Sequence, residues 1–163
     1  MHACSIAVFD HQLGALDAIL TKAEAHCEAR GIDPAVLLQA RLFPDMYPLL
    51  RQVQLATDFA KGPAARLSGQ PVPSFPDVEA SFAELHDRIA RVRAFVRSVT
   101  PAMLEGAAAR PVAFTLRRQP REEPGITYLT GFALPNFFFH VTTAYNILRH
   151  NGVELGKVDF IAR

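Results

Sequence analysis

The chemistry available to this sequence depends first on its six histidines, because imidazole is a common metal ligand and also an acid or base near neutral pH. His140 and His150 lie in "NFFFHVTTAYNILRHNGVELG", residues 136–156. A two-histidine metal site on one helix requires a second histidine four residues after the first. That position is Ala144, which cannot bind a metal. His140 is therefore open to three interpretations: a hydrogen-bonded residue at the core edge, a metal ligand or a catalytic base.

Two further side chains could share a cleft with His140. A helical wheel of about 100° per residue places His140 at the edge of the apolar stripe of its helix. Tyr145 lies farther round the same helix and could offer its hydroxyl to a neighbouring element, or could simply pack. Gln52 precedes Val53 in the stripe of another helix and could project into the cleft or face solvent. We expect His140, Gln52 and Tyr145 to be the ligand-binding residues.

Charged residues cluster between positions 79 and 97. Their mixed signs are typical of the solvated side of a helix, with three acidic residues facing four arginines. The set comprises Glu79, Glu84, Asp87, Arg88, Arg91, Arg93 and Arg97. Arg91 and Arg97 could alternatively line a site for an anion.

Apolar residues that recur at steps of three and four predict four long amphipathic helices. These stripes occupy residues 6–31, 46–69, 78–99 and 135–152. Gly31 and Gly69 are typical helix C-caps, and Asp77 is a candidate N-cap for the third helix. Asp33 followed by Pro34 predicts a short additional helical segment.

The pattern changes between residues 110 and 135. The segments "PVAFTLRR" and "GITYLTGF" are rich in β-branched and aromatic residues, and "QPREEPG" between them is typical of a turn. We therefore expect a small β-hairpin before the last helix. Four amphipathic helices and one hairpin predict an all-α fold, a four-helix bundle forming one domain over residues 1–163.

The composition favours a globular protein with one core. Half of the 163 residues are hydrophobic and one fifth are charged, with a formal net charge of +1, so no strong field would attract nucleic acid or anionic lipid. The chain opens without a signal-peptide pattern, and no window approaches the ~20 apolar residues of a membrane span. We expect a cytoplasmic protein that binds neither nucleic acid nor membrane. Cys4 and Cys27, held apart by a helix, cannot form a disulfide or a zinc knuckle together.

Three consecutive phenylalanines, Phe137 to Phe139, precede His140. They cannot all point into one narrow stripe, so Phe138 or Phe139 must pack under the hairpin or against a second subunit. An exposed aromatic patch is a common association signal. The sequence therefore predicts a homodimer formed through helix faces.

The segment "HVTTAYNILRHNGVELGKVDF", residues 140–160, with support from "MYPLLRQVQLATDFAKGPAARLSG", residues 46–69, resembles a bacterial family of unknown function within the DinB/YfiT-like superfamily. The resemblance covers nearly the whole chain. It implies a four-helix bundle, often dimeric, in which many members hold a divalent metal with three histidines. In those members one histidine lies on the second helix and two lie four residues apart on the last helix. The first histidine of that pair matches His140, and the second falls on Ala144. The histidine of the second helix falls at or near Gln52.

Because two of three metal ligands are replaced, we expect an uncharacterised bundle protein that binds a small molecule or a partner in a cleft derived from a degenerate metal site, with no cofactor. The alternative is a metal-dependent transferase or hydrolase, for example one that transfers a thiol. In that case His140 would bind a divalent transition metal, and His86 or an acidic side chain would complete the ligand set. Metal-free acid–base catalysis by His140 is a third reading, for which the sequence suggests no substrate.

Overall fold

Four long helices form the framework that positions the candidate site in the computed structural model, which describes residues 1–161. They are α1 (Ile6–Arg30), α3 (Leu49–Ser68), α4 (Phe82–Ser98) and α6 (Leu134–His150). Helix α3 packs on α6 and on α4, and α1 packs on α4 and on α6, which closes the bundle. The predicted bundle is thus confirmed, while positions 162–163 of the predicted 1–163 domain lie outside the described residues.

Local capping explains where these helices begin and end. Gly31 and Gly69 adopt left-handed backbone angles after α1 and α3, as their C-cap roles predict. The short helix α2 (Pro34–Leu38) begins after Asp33, whose carboxylate accepts a hydrogen bond from the amide of Ala35. The predicted Asp77 cap is wrong, because Ser81 caps α4 instead. Its hydroxyl accepts from the amide of Glu84, and the carboxylate of Glu84 accepts in return from the Ser81 hydroxyl and from the amide of Ala80.

The hairpin is present, but its second strand is not where the sequence predicted it. Strand β1 (Pro111–Leu116) pairs antiparallel with β2 (Gln119–Pro124), so the predicted turn "QPREEPG" is largely a strand. The turn consists of Arg117 and Arg118, both with positive φ, which matches the backbone twist that two-residue hairpins favour. Neither turn residue is a glycine or an asparagine, the types that usually mark such a turn in a sequence. The segment "GITYLTGF" forms helix instead of strand.

That helix joins α6 through one turn with a π-helical hydrogen-bond pattern. Helix α5 (Gly125–Tyr128) continues as a π-helical turn (Leu129–Ala133) and then as α6. Pro135 lacks the amide hydrogen that a regular ladder would use there. The side-chain amide of Asn136 donates to the carbonyl of Phe132 at 2.7 Å. The π turn therefore carries Phe132 between α3 and the hairpin, with its carbonyl satisfied.

One apolar core joins the four helices, the short segments and the inner face of β1. Residues 2–30 are long and apolar enough, by length and composition, to cross a membrane, and half of their most apolar window is buried inside the fold. The expectation that no window approaches such a span was therefore too strict. Core packing of Phe9, Leu13, Leu16 and Leu20 accounts for this hydropathy, since a buried core helix meets the same criterion.

The end of the described chain folds back onto α1 through the short helix α7 (Lys157–Ile161). The side-chain amide of Gln12 donates to the carbonyl of Phe160 at 2.9 Å, and a ring nitrogen of His11 contacts the carbonyl of Ile161 at 2.7 Å. Asp159 pairs with Lys22 at 2.7 Å. This docked tail leaves the other side of α6 available to α3.

Candidate functional site

The structure brings together two of the three predicted site residues, His140 and Gln52. Gln52 lies in the first turn of α3 and His140 in the middle of α6, and these two helices share the most extensive packing in the bundle. The Nδ1 atom of His140 lies 2.8 Å from Oε1 of Gln52. Both side chains are buried, with exposed fractions of 8% and 1%.

The hydrogen bonds of Gln52 define the protonation of His140. The Nε2 amide of Gln52 donates to the backbone carbonyl of Tyr47 at 3.1 Å, so its Oε1 atom must act as an acceptor. The partner of Oε1 is therefore an N–H group, and His140 carries its proton on Nδ1. Its Nε2 atom is left with a free lone pair, so the neutral tautomer presents an acceptor away from Gln52.

The Nε2 atom of His140 has no hydrogen-bond partner among the described residues and is not fully buried. Within residues 1–161 every buried side-chain nitrogen or oxygen atom has a hydrogen-bond partner, and His140 bonds there only through Nδ1. Phe59 stacks on the imidazole at a centroid distance of 5.5 Å, and Phe139 meets it edge-on at 5.3 Å. The ring is thus held between aromatic side chains, with one nitrogen accessible.

Burial, and to a smaller extent the positive charge of Arg51, lowers the pKa of His140 to about 4. Desolvation penalises the imidazolium, and a nearby cation penalises it further. His140 is therefore neutral at physiological pH. Both effects would also oppose a bound metal cation.

The donor set does not fit the metal that the superfamily resemblance implies. Ala144 is fully buried against the core at the position of the second histidine, and Gln52 is already bonded to His140 and Tyr47. Within the described part of the chain, no group of three or more His, Cys, Asp or Glu side chains could hold a metal ion. A catalytic zinc site needs three protein ligands, and the His140–Gln52 pair supplies one imidazole.

Two other candidates lie elsewhere. The ring of Tyr145 packs edge-on against Phe160 of α7 at 5.8 Å and lines a small cavity with Lys157, so it does not join the His140–Gln52 pair. His86, proposed to complete a metal shell, contacts Asp17 at 2.6 Å through Nδ1. It therefore belongs to the α1–α4 interface.

The sequence interpretation missed a buried charge cluster centred on Arg88, which we name the Arg88 cluster. Arg88 is fully buried instead of solvated, and the carboxylate of Glu79 is 2% exposed. The guanidinium contacts side-chain oxygens at distances between 2.7 and 3.1 Å, those of Thr57, Asp58, Asp77 and Glu79. The cluster fixes the proline-rich connection before α4 against α3 and α4.

A signal for this cluster was present in the sequence. Arg88 lies at a core position of α4, three residues after Leu85 and four before Val92, both fully buried. A charge inside an apolar stripe requires partners, because an unpaired buried ion is strongly destabilising. Asp77 was predicted to be a helix cap because a carboxylate just before a helix often has that role. Burial raises the pKa of Asp77, but the hydrogen bond from Arg51 and the charges of Arg51 and Arg88 outweigh it and lower that pKa.

The chain matches a known protein family and a solved structure. The family described as "Domain of unknown function (DUF1993)" matches residues 1–161. A solved structure described as a DinB family member protein from Shewanella denitrificans is 41% identical, with a TM-score of 0.92 over 98% of this chain and 90% of that chain. Comparison with curated proteins gave no significant match. The resemblance and the DinB-like architecture inferred from the sequence are confirmed, and the chain belongs to the DUF1993 family.

Proposed function

We propose that this protein binds a small organic molecule at Nε2 of His140, in the cleft that the superfamily resemblance assigns to a metal. The observation that carries the proposal is the 2.8 Å hydrogen bond between Nδ1 of His140 and Oε1 of Gln52. It fixes a neutral imidazole whose second nitrogen is a hydrogen-bond acceptor facing outward. A preorganised acceptor between aromatic rings is a typical recognition element of a small-molecule site.

Binding is favoured over acid–base catalysis by the low basicity of this imidazole. A catalytic base works best when its pKa lies near the working pH. The pKa of His140 is about 4, so at neutral pH it is unprotonated and also a weak base. Such a group accepts a hydrogen bond well but removes a proton poorly.

The surroundings of Nε2 define the ligand class. A lone pair selects a ligand with an O–H or N–H donor. Phe59 and Phe139 flank the imidazole and suit a flat ring. The charge of Arg51, which acts on His140, disfavours a cationic ligand. We therefore expect a neutral or anionic hydroxyl- or amide-bearing ring.

The test compares phenol with anisole, which lacks the hydroxyl donor, in ligand-observed NMR titrations up to about 10 mM, a range suited to weak single-ring ligands. Wild-type protein should prefer phenol by about fivefold or more, an increment typical of one added hydrogen bond. The variant His140→Asn keeps a donor toward Gln52 and removes Nε2, so the preference should disappear. His150→Asn, at an exposed position of the same helix, is the matched control and should keep it. Equal binding of the two probes to wild type, or a preference that survives in His140→Asn, would contradict the proposal.

Metal analysis of the purified protein addresses the metal-dependent alternative directly. Protein purified without a histidine tag should hold less than about one tenth of an equivalent of transition metal, because a single imidazole binds zinc weakly. Stoichiometric zinc that is lost in His140→Ala would support the metal-dependent transferase or hydrolase instead.

A further inference from the structure

A cavity of about 240 Å³ lies between α3, β1 and the π-helical turn. Four aromatic rings line it, and their centroid separations along the cluster are 4.7 to 5.8 Å. The rings belong to Phe59, Phe114, Tyr128 and Phe132. The lining of this cavity includes neither His140 nor Gln52, although Phe59 both lines the cavity and stacks on the His140 imidazole. We name it the Arg66 cavity, after the one arginine in its lining.

Arg66 brings a positive charge to these aromatic walls. It lies in the last turn of α3 and is half-buried. Within residues 1–161 none of the salt bridges includes Arg66, although seven of the eleven involve other arginines. A half-buried guanidinium without a carboxylate partner next to a cavity is suited to bind an anion.

The backbone of Gly62 makes room for this guanidinium. A Cβ atom at position 62 would lie 2.8 Å from Nη1 of Arg66, which is too close for a normal contact. Gly62 lies inside α3, where glycine is less favourable than alanine by about 1 kcal/mol. The missing side chain therefore lets the Arg66 guanidinium lie against the helix, beside the cavity.

Asp58 also lines the cavity, but its charge is already neutralised. The Oδ1 atom of Asp58 accepts from Nζ of Lys61 at 2.8 Å and from Nη2 of Arg88 at 3.0 Å. Lys61 alone balances the charge of the Asp58 carboxylate, since Arg88 also pairs with Asp77 and Glu79. Arg66 is thus the charge in the lining that has no counter-ion among the described residues.

Tyr128 adds a hydroxyl to the same wall. Its side chain is 1% exposed, and burial raises the pKa of its hydroxyl, while the charge of Arg66 and a hydrogen bond with that guanidinium act in the opposite direction. The hydroxyl is therefore protonated near neutral pH and can donate a hydrogen bond. Tyr128 directly precedes the π-helical turn, and such turns occur frequently at functional sites.

We infer that the Arg66 cavity binds a small organic acid with a single ring, its ring among the four aromatic side chains and its carboxylate on the Arg66 guanidinium. Planar guanidinium and carboxylate groups form two parallel hydrogen bonds, which favours a carboxylate over a neutral amide. The volume is below the roughly 300–1,000 Å³ typical of sites for drug-sized ligands, which limits the ligand to about one ring. This inference does not rest on the proposed function, because the polar groups differ: Arg66 in this cavity and Nε2 of His140 in the other site. Phe59 borders both.

Isothermal titration with benzoate, methyl benzoate and phenyl phosphate tests the inference. Methyl benzoate is the neutral analogue and has no N–H or O–H donor for Nε2 of His140, so it does not report on the other site. Benzoate should bind wild-type protein at least fivefold more tightly than methyl benzoate and more tightly than phenyl phosphate. Failure of benzoate to bind at about 10 mM, the weak limit for so small a ligand, would overturn the inference. Equal binding of benzoate and methyl benzoate, or preferred binding of the phosphate, would overturn it as well.

Two variants separate this site from general effects of charge and folding. Arg66→Gln should weaken benzoate binding about tenfold, while Arg149→Gln, at an exposed arginine of α6, should change it less than twofold. Gly62→Ala keeps the arginine and the net charge but displaces the guanidinium, so benzoate affinity should fall while the melting temperature is equal or higher. Unchanged affinity in both Arg66→Gln and Gly62→Ala would contradict the inference.

Discussion

At the scale of single residues, His140 couples the stability of the fold to pH. Its pKa is about 4 in the folded protein, against an ordinary value near 6.5. Between these values the unfolded chain binds a proton that the folded chain does not, so stability present above pH 6.5 is lost as the pH falls toward 4. We predict that this residue removes up to about 3 kcal/mol from the free energy of unfolding over that range.

The measurement is urea unfolding at several pH values between 4 and 7, for wild type and His140→Asn. The variant lacks the titrating imidazole, so its free energy of unfolding should fall less steeply with acid. His150→Asn serves as the control and should follow the wild-type curve. Parallel curves for wild type and His140→Asn would show that His140 is not the neutral, buried group described here.

Arg88 gives a second prediction at this scale. Replacing it with methionine leaves the buried carboxylate of Glu79 without its principal cation, which should cost about 3–5 kcal/mol in the free energy of unfolding. Arg97→Met removes a largely exposed partner of Asp10 and should cost less than about 1 kcal/mol. Urea denaturation measures both.

The double variant Arg88→Met with Glu79→Gln should be more stable than Arg88→Met alone, because it removes the uncompensated charge. If Arg88→Met is as mild as Arg97→Met, the Arg88 cluster is not a stabilising unit.

At the scale of elements, the hairpin turn carries a cost that can be removed. Arg117 and Arg118 both have positive φ, a conformation that costs side-chain-bearing residues about 1 kcal/mol or more each. Asn-Gly is the preferred pair for such a turn. We predict that Arg117→Asn with Arg118→Gly raises the free energy of unfolding by about 1 kcal/mol, measured by urea denaturation.

Arg121→Gly, in the middle of β2, is the control for this change. Glycine inside a strand should not stabilise, because no positive φ is relieved there. Equal gains from both substitutions would mean that the turn conformation is not responsible.

The helices could be predicted because their apolar stripes and caps are local signals. The stripe of α1 from Ile6 and the cap of α2 at Asp33 follow directly from residue spacing. The second strand could not be predicted, because a two-residue turn of arginines has no compositional signature and β2 has no fully buried residue to mark it. The segment "GITYLTGF" is helical because it packs between α3 and β1, and strand propensity alone does not predict that packing.

The site itself was only partly accessible from sequence. Helix spacing placed His140 at an interior edge, and the resemblance suggested Gln52 as its counterpart, which the structure brings within 2.8 Å. A helical wheel cannot predict that Tyr145 contacts Phe160, because the docking of α7 is a long-range contact. Arg66 and the Arg88 cluster also depend on contacts between distant segments.

At the scale of the whole molecule, we propose that the protein forms a homodimer through the α6 face that carries Phe139. Phe137 is buried, Phe138 packs edge-on against it at 5.5 Å, and Phe139 is 56% exposed. An exposed aromatic ring in this position is suited to association. Light scattering at micromolar concentration should give the mass of two chains for wild type and of one chain for Phe139→Glu.

Val36→Glu places the same charge at another exposed apolar position, on α2, and should leave the mass unchanged. A wild-type mass equal to one chain would contradict the dimer. Loss of the dimer in Phe139→Glu would also place the interface beside the imidazole of His140, 5.3 Å from that phenylalanine ring.

Between α3 and α6, His140 is a neutral imidazole whose Nε2 atom is an unpaired acceptor, at the position where the superfamily resemblance implies a metal ligand. Long-range proton–nitrogen NMR of ¹⁵N-labelled protein, titrated with acid from pH 7, tests it most directly. We predict that Nδ1 of His140 is protonated and Nε2 is not, and that the ring gains its second proton only near pH 4. A ring that carries its proton on Nε2, or that is already doubly protonated near pH 6, would show that His140 is not the neutral, Gln52-bonded acceptor described above.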